Sequence, residues 1–409
     1  MIQDNNIMNG QDSIRVAIIG LGYVGLPLLC HFATKYQCVG LDINEQRILQ
    51  LSEGIDVKKC VDPNMLFSLC EVTLTSDWKD SRDCNVFIVT APTPIDKAKQ
   101  PDVHSLKEIC TQLGKVIKPG DIIVFESTVA PGTTEEICVP IIESVSSFKL
   151  NEDFSVGYSP ERINIGDASH TLSSVPKIVS ASNRYTLGII SHLYSTALGC
   201  EIVPATSIKT AEAAKLYENV QRDVLIALAN QYSEYCKAEG IDIREVTQCA
   251  STKWNFAEVY PGLVGGHCIG VDPYYLLQRA KELGVNPDLV EKAREINELE
   301  TRKACINIFE KLQEYNVKSV LLVGLSYKPD TSDIRNSKAI EIAQDIASRM
   351  NDIEIYDLNV SKENLPEEIR SLYCNEIPKD NTYEAVVTLV KHSAFQSPTG
   401  KAINLDITK

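Results

Sequence analysis

The chain has 409 residues, 44% hydrophobic and 23% charged, a globular balance with enough length for two or three domains. Its net charge of −15, with no Lys/Arg block, disfavours nucleic acid, whose backbone needs a basic footprint. No apolar run reaches the roughly 18 residues that span a bilayer, and Met1–Asp12 lacks the blocks of a signal peptide, so no membrane partner and a cytoplasmic location are expected.

Taken in order, Ile14–Gly20 reads as a buried parallel strand ending in glycine, followed by an apolar helical stretch over Leu26–Thr34. Cys38–Asp42, Asn85–Thr90 and Asp121–Glu126 are further strands, and strands alternating with helices indicate a doubly wound parallel sheet. Thr206 to Gly240 has neither Gly nor Pro before its last residue and predicts one long helix. Pro287–Tyr315 predicts another. A second alternating region follows: strand Ser319–Gly324, helix Lys338–Met350, strand Ile353–Tyr356 and a late strand at Ala385–Val390. The fold class expected is α/β: two Rossmann-like doubly wound domains, 1–205 and 306–409, joined by a central helical region over 206–305 with one long helix. The segment before Ile14 is expected to be disordered.

Gly20-Leu-Gly22-Tyr-Val-Gly25 follows the first strand and opens a helix, and Asp42 ends the next strand about where a ribose-binding acid is expected. Gly20 allows the tight turn, Gly22 admits a pyrophosphate, and Gly25 lets helix pack on strand. The unpaired N–H groups of the helix then face the phosphates. A carboxylate at Asp42 favours NAD over NADP by repelling a 2′-phosphate.

Thirteen cysteines without CxxC pairs, and six histidines without HExxH, make a metal unlikely; most of the thiols are expected to be reduced and buried. Cys268 differs, lying between glycines in Gly265-Gly266-His267-Cys268-Ile269-Gly270, where backbone amides or a nearby cation could stabilise a thiolate. Asp272, four positions on, could hold a water or a cation. Lys215 and Asn219, one helical turn apart, could polarise an oxygen, although a solvated lysine on an amphipathic helix is the plainer reading. His267 could act as a base, contact substrate or merely pack. Glu161 and Thr128 fall in loops after strands, which line the crevice of such a sheet.

With these stretches quoted, the sequence resembles the UDP-glucose/GDP-mannose dehydrogenase family. The motifs run collinearly: GLGYVGLPL at 20–28, APTP at 91–94, ESTVAPGTTEE at 126–136, GYSPERIN at 157–164, KTAEAAKLYENVQRD at 209–223, GGHCIGVDPYYL at 265–276 and GLSYKPDTSDIRNS at 324–337. Thr252-Lys253-Trp254-Asn255-Phe256 with the cysteine motif is most similar to the branch that oxidises UDP-N-acetylhexosamines. The resemblance implies NAD-dependent four-electron oxidation of a sugar C6 alcohol to a uronate through a thiohemiacetal and thioester on Cys268, two NAD per sugar. UDP-N-acetylglucosamine is favoured, ahead of UDP-N-acetylgalactosamine, UDP-glucose and UDP-N-acetylmannosamine.

The same resemblance implies that Lys215 and Asn219 stabilise the oxyanion, that Asp272 assists water or proton transfer, and that Thr128 and Glu161 support hydrolysis. It places Gly20, Gly22, Tyr23, Val24, Gly25, Asp42, Arg47, Thr93, Thr128 and Arg335 at the cofactor. Glu161, Arg162, Lys215, Asn219, Arg222, Asn255, Gly265, His267 and Lys328 would contact the substrate. The first domain would bind NAD, the central helices would form a homodimer, and the last domain would bind the UDP half. Ala130, where the family often carries a larger residue, and Ile165, in place of a common proline, depart from the pattern. A one-NAD hydroxyacid-type dehydrogenase and a non-catalytic NAD sensor are the rival readings; the first has no use for Cys268.

Overall fold

The computed structural model describes residues 14–163, 169–376, 383–395 and 403–407; the segment before Ile14, Asn164, Ile165 and parts of the C-terminal tail lie outside the described residues. The chain divides into two compact units, Met1–Tyr217 with Tyr274–Arg279, and Glu218–Pro273 with Ala280–Lys409. The division falls inside the long helix.

In the first unit the chain runs β1 (Arg15–Ile19), α1 (Gly25–Ala33), β2 (Gln37–Leu41), α2 (Glu45–Ser52), β3 (Thr73–Thr75), β4 (Val86–Val89), α3 (His104–Val116), β5 (Ile122–Phe125) and α4 (Val139–Ser146). It continues through β6 (Ser155–Tyr158), β7 (Lys177–Ala181), α5 (Arg184–Leu198) and β8 (Ile202–Pro204). The central strands are apolar throughout because helices cover both faces of the sheet. Val16 and Ile18 of β1 pack with α1 and α5, while Ala17 and Ile19 turn to the other face with α3 and α4. The described sheet has the order β3-β2-β1-β4-β5-β6-β7-β8. Its first six strands follow the dinucleotide-binding order, with the reversal between β1 and β4 that opens the crevice. The all-parallel expectation fails at one place: β6 and β7 pair antiparallel, Gly157 with Ala181 and Tyr158 with Ser180.

The long helix is α6 (Ile208–Glu239), followed by α7 (Ile243–Ser251), α8 (Asp272–Glu282) and α9 (Asp288–Glu314). Gly240, at φ +75°, ends α6. Ile241 N donates to Cys236 O at 3.0 Å and Gly240 N to Lys237 O at 3.2 Å, the paired bonds of a left-handed helix stop.

The second unit also holds β9 (Ser319–Val323), α10 (Lys338–Ala347), β10 (Asp352–Tyr356), α11 (Glu367–Arg370), β11 (Ala385–Thr388) and β12 (Ile403–Asp406). The strands are all parallel, in the order β10-β9-β11-β12. Ile308 and Leu312 of α9 and Ile342 and Ile346 of α10 close one face of this sheet. Among the described residues no helix is long and apolar enough to cross a membrane.

Candidate active site

The glycine turn after β1 has the geometry its sequence predicts. Gly20 sits at φ +91°, and a Cβ on Gly25 would lie 1.8 Å from Gly20 O, so no side chain fits there. A Cβ on Gly22 would meet nothing within 4 Å, which leaves that face of the turn open. The N-terminus of α1 carries no side-chain cap, as an anion-receiving terminus requires. Tyr23 and Val24 lie half-buried in the same turn. Asp42 Oδ2 accepts from Leu21 N at 2.7 Å and its Oδ1 from Asn44 N at 2.9 Å, which fixes the carboxylate beside the glycine turn. Asp42→Ala removes a charged acceptor for the ribose hydroxyls, worth about 1.5–3 kcal/mol. KM for NAD is therefore expected to rise roughly 10- to 100-fold in initial-rate assays, with kcat far less affected.

Arg47, expected at the cofactor, is 3% exposed; its Nε donates to Leu21 O at 3.0 Å and its Nη1 pairs with Asp56 at 2.8 Å. It braces the turn from behind. Thr93 likewise spends its hydroxyl internally, on Thr128 O at 2.7 Å, and so ties the loop after β4 to the loop after β5. Thr128 stays half-buried. Glu161 follows β6; its Oε1 accepts from Arg162 N at 2.7 Å and Ile163 N at 2.5 Å. Arg162 donates to Pro176 O at 2.8 Å.

Lys215 is only 7% exposed, one turn before Asn219 on α6. Glu212, one turn earlier, is fully buried and accepts from Gly132 N at 2.6 Å and Thr134 N at 3.0 Å, anchoring α6 to the ESTVAPGTTEE loop.

In the second unit Cys268 is exposed. It shares exposure with Cys70 and Cys249, so access alone does not single it out. Its carbonyl accepts from Val271 N at 3.0 Å and Asp272 N at 2.8 Å, forming the turn that enters α8. Asn219 Nδ2 donates to Asp272 Oδ2 at 2.5 Å, which joins two of the sequence candidates and leaves the second amide hydrogen of Asn219 for another acceptor. Beneath the turn lies a cation the sequence did not reveal. Arg294, 3% exposed, pairs with Asp223 at 2.7 Å and donates to Ile269 O at 3.4 Å. Burial pushes the Asp223 carboxyl up, with Arg294 opposing.

The glycines before Cys268 serve packing more than ligand approach. A Cβ on Gly265 would lie 2.8 Å from Asn336 O, and one on Gly266, at φ +81°, would lie 2.6 Å from the Tyr327 ring. Gly266 N donates to Asn336 O and Asn336 Nδ2 returns a bond to Gly266 O, each at 3.2 Å. The thiol turn is thereby clasped to the loop after β9 that carries Lys328 and Arg335. Arg335 chelates Asp333, with Nη2 at 2.6 Å. Burial, then the Arg335 cation, pushes the His267 imidazole down to about 4, so His267 is neutral and a weak base at physiological pH. Arg222 and Asn255 are exposed.

The second unit repeats the first unit's turn and closes it. Gly324, at φ +87°, donates to Tyr356 O at 2.9 Å as Gly20 does to Leu41 O at 2.8 Å. Leu325 N and Asn359 N bond Asp357 at 2.5 and 2.7 Å, as Leu21 and Asn44 bond Asp42. Yet Asp357 is 2% exposed and faces His392 Nε2 at 3.0 Å. His392 Nδ1 accepts from Asp330 N at 2.9 Å, so Nε2 carries the proton. Burial pushes Asp357 up, but His392 and the backbone donors outweigh it and hold the carboxyl below its usual range. A ribose has no access to this acid. The open turn is the one after β1.

That turn and its acid define a dinucleotide-binding Rossmann unit. Models of the UDP-glucose/GDP-mannose dehydrogenase family match residues 14–198 (NAD binding domain), 209–299 (central domain) and 321–408 (UDP binding domain). The chain is 42% identical over 388 residues to the UDP-N-acetyl-D-glucosamine 6-dehydrogenase of Pseudomonas aeruginosa, covering 94% of this chain and 92% of that one. It is 39% identical to the enzyme of that name from Salmonella typhi, over 95% of this chain and 92% of the other. The solved structure of a UDP-D-ManNAc dehydrogenase from Pyrococcus horikoshii superposes with a TM-score of 0.83 at 28% identity, covering 96% of this chain and 99% of that one. The chain belongs to the UDP-glucose/GDP-mannose dehydrogenase family and is an NAD-dependent UDP-sugar dehydrogenase.

Proposed function

We propose that the chain oxidises the C6 alcohol of a UDP-N-acetylhexosamine, UDP-N-acetyl-D-glucosamine first among them, to the uronate. The observation that carries this reading is an exposed thiol, Cys268, on a turn clasped to the Lys328 and Arg335 loop. The glycine turn after β1 and Asp42 would hold NAD, which would supply a hydride acceptor for each of the two oxidations of the sugar carbon. Between them the Cys268 thiolate adds to the aldehyde carbon, giving a thiohemiacetal; the second oxidation leaves a thioester. Lys215 and Asn219 stabilise the oxyanion that forms at the former aldehyde oxygen. Asp272, bonded to Asn219, receives or holds a proton, and Thr128 and Glu161 serve the hydrolytic step. Lys328 and Arg335 bind phosphates, and Arg162, Arg222, Asn255, Gly265 and neutral His267 contact the UDP-sugar.

The 42% and 39% relatives favour the N-acetylglucosamine substrate. UDP-N-acetylgalactosamine differs at the C4 hydroxyl alone, and a mispaired buried partner there costs about 1–3 kcal/mol. Initial rates with the two sugars are therefore expected to differ in kcat/KM by about 10- to 100-fold in favour of UDP-N-acetylglucosamine, with UDP-glucose lower than both. A preference for UDP-glucose would overturn the substrate assignment.

The central helices are proposed to form a homodimer. Leu228, Tyr232 and Tyr235 fall on one face of α6 and are 58%, 46% and 51% exposed, an apolar stripe suited to a second copy. A cytoplasmic location, where NAD and nucleotide sugars meet, fits the thirteen free cysteines.

A further inference from the structure

The first unit holds a buried charge cluster that the roles assigned so far leave unused. Its position follows from the one antiparallel pairing in the described sheet. Tyr158 faces Ser180 across β6 and β7, and the chain after β6 runs on past Lys177 at the start of β7, whose Nζ reaches Pro160 O. Lys177 Nζ lies 2.7 Å from Glu126 Oε2, 3.2 Å from Pro160 O and 3.9 Å from Glu161 Oε2. Glu126, at the end of β5, receives a second bond on Oε1 from the Tyr194 hydroxyl of α5 at 2.5 Å. The side chains of Lys177 and Glu126 are 5% and 0% exposed, whereas that of Glu161 is 16% exposed. One ammonium thus bridges a sealed carboxylate and a partly open one.

A buried ammonium without counter-ions would shed its proton. Here burial pushes Lys177 down, but Glu126 and Glu161 outweigh it and the group is driven up, so it stays charged. Burial likewise pushes the Glu126 carboxyl up against the pull of Lys177. The other ionisable neighbours are Tyr194, driven well up by burial, Cys200, whose thiol burial also pushes up, and Arg162, engaged with Pro176 O.

We propose that Lys177, seated by Glu126 and Tyr194, is a positioning residue that holds Glu161 as an oriented anion for hydrolysis of the acyl-enzyme. This rests on the assignment of Glu161 to the hydrolytic step. In that step Glu161 takes one proton from water while the water oxygen bonds the thioester carbon. The C–S bond then breaks, the electron pair leaves on the Cys268 sulfur, and the uronate is released. The backbone donors of Arg162 and Ile163 fix Oε1, and Lys177 supplies the charge on the Oε2 side.

The test compares Lys177→Arg, Lys177→Met, the pair-neutral Glu126→Gln/Lys177→Met and Glu161→Gln during turnover with NAD and UDP-N-acetyl-D-glucosamine. Two readouts are taken: the pH profile of kcat, and the mass of the acyl adduct on Cys268 after acid quench. With the cation 3.9 Å from Glu161 Oε2 removed, proton transfer from the hydrolytic water slows most at low pH, so the acid limb of kcat should move up in both Met variants. Below that limb the adduct should accumulate and kcat should fall about 10- to 100-fold, with recovery at higher pH and rescue by arginine. The double variant leaves no sealed charge at Glu126 and orphans only the partly open Glu161, so it serves if Lys177→Met alone does not fold. Adduct accumulation in Glu161→Gln without any in the Lys177 variants, or slower turnover with an unmoved acid limb, overturns this inference and spares the role of Glu161. No accumulation in Glu161→Gln overturns both.

Discussion

Replacing Cys268 by serine is expected to lower steady uronate formation at least about 10³-fold while leaving NAD binding and the melting temperature near their wild-type values. The physical reason lies in the nucleophile. A thiolate is strongly nucleophilic toward a carbonyl, whereas a serine hydroxyl without an adjacent base is not. An oxygen ester is also a poorer acyl donor for hydrolysis than a thioester. Cys268 is not the one exposed thiol, so Cys70→Ser and Cys249→Ser are the matching controls and should keep full turnover. Rapid-quench assays for uronate and a covalent adduct check the result.

Lys215→Met is expected to lower kcat by about 10²–10³-fold, or about 2.7–4 kcal/mol of transition-state stabilisation, with KM for the UDP-sugar changed only a few-fold. Lys215 is 7% exposed on a helix anchored through Glu212, and a cation in such surroundings acts in a lower dielectric than water. Its effect is large when negative charge develops on the sugar oxygen and small in the ground state. Methionine keeps the length and apolar stem of lysine, so packing along α6 survives and the loss reports on charge. Equal losses in kcat/KM and binding, with kcat intact, would show that Lys215 only holds substrate.

Much of this was legible in the sequence for identifiable reasons. The glycine turn and the place of Asp42 after β2 are local: they follow from spacing along a strand, a turn and a helix, and the turn's geometry agrees down to the 1.8 Å clash awaiting any side chain at Gly25. The long helix is local too, set by the lack of Gly and Pro before Gly240. What was not legible depends on partners distant along the chain. Lys177 and Glu126 are separated by 51 positions, and no periodicity signals that a strand turns antiparallel to bring them together. Arg294 lies on a helix whose pattern gives no hint that its guanidinium reaches Ile269. The bonds of Arg47 to Leu21 and Asp56 span 26 and 9 positions, and no local pattern announces them. The glycines at 265 and 266 are packed against Asn336 and Tyr327, partners distant along the chain that no local pattern announces.

The second unit shows how far a shared turn can diverge. Its Gly324 and Asp357 keep the backbone bonding of Gly20 and Asp42, but His392 covers the acid and ties it to the loop at Asp330. One unit leaves the acid beside its turn partly exposed, and the other uses the same device to hold a loop carrying Lys328 and Arg335.

The most direct test of the four-electron reaction is the ratio of NADH formed to UDP-N-acetyl-D-glucosamine consumed by the purified protein, run to completion and paired with the mass of the product. Two NADH per sugar, with a carboxylate at C6, is the result expected. One NADH per sugar with an aldehyde released would contradict a covalent intermediate on Cys268.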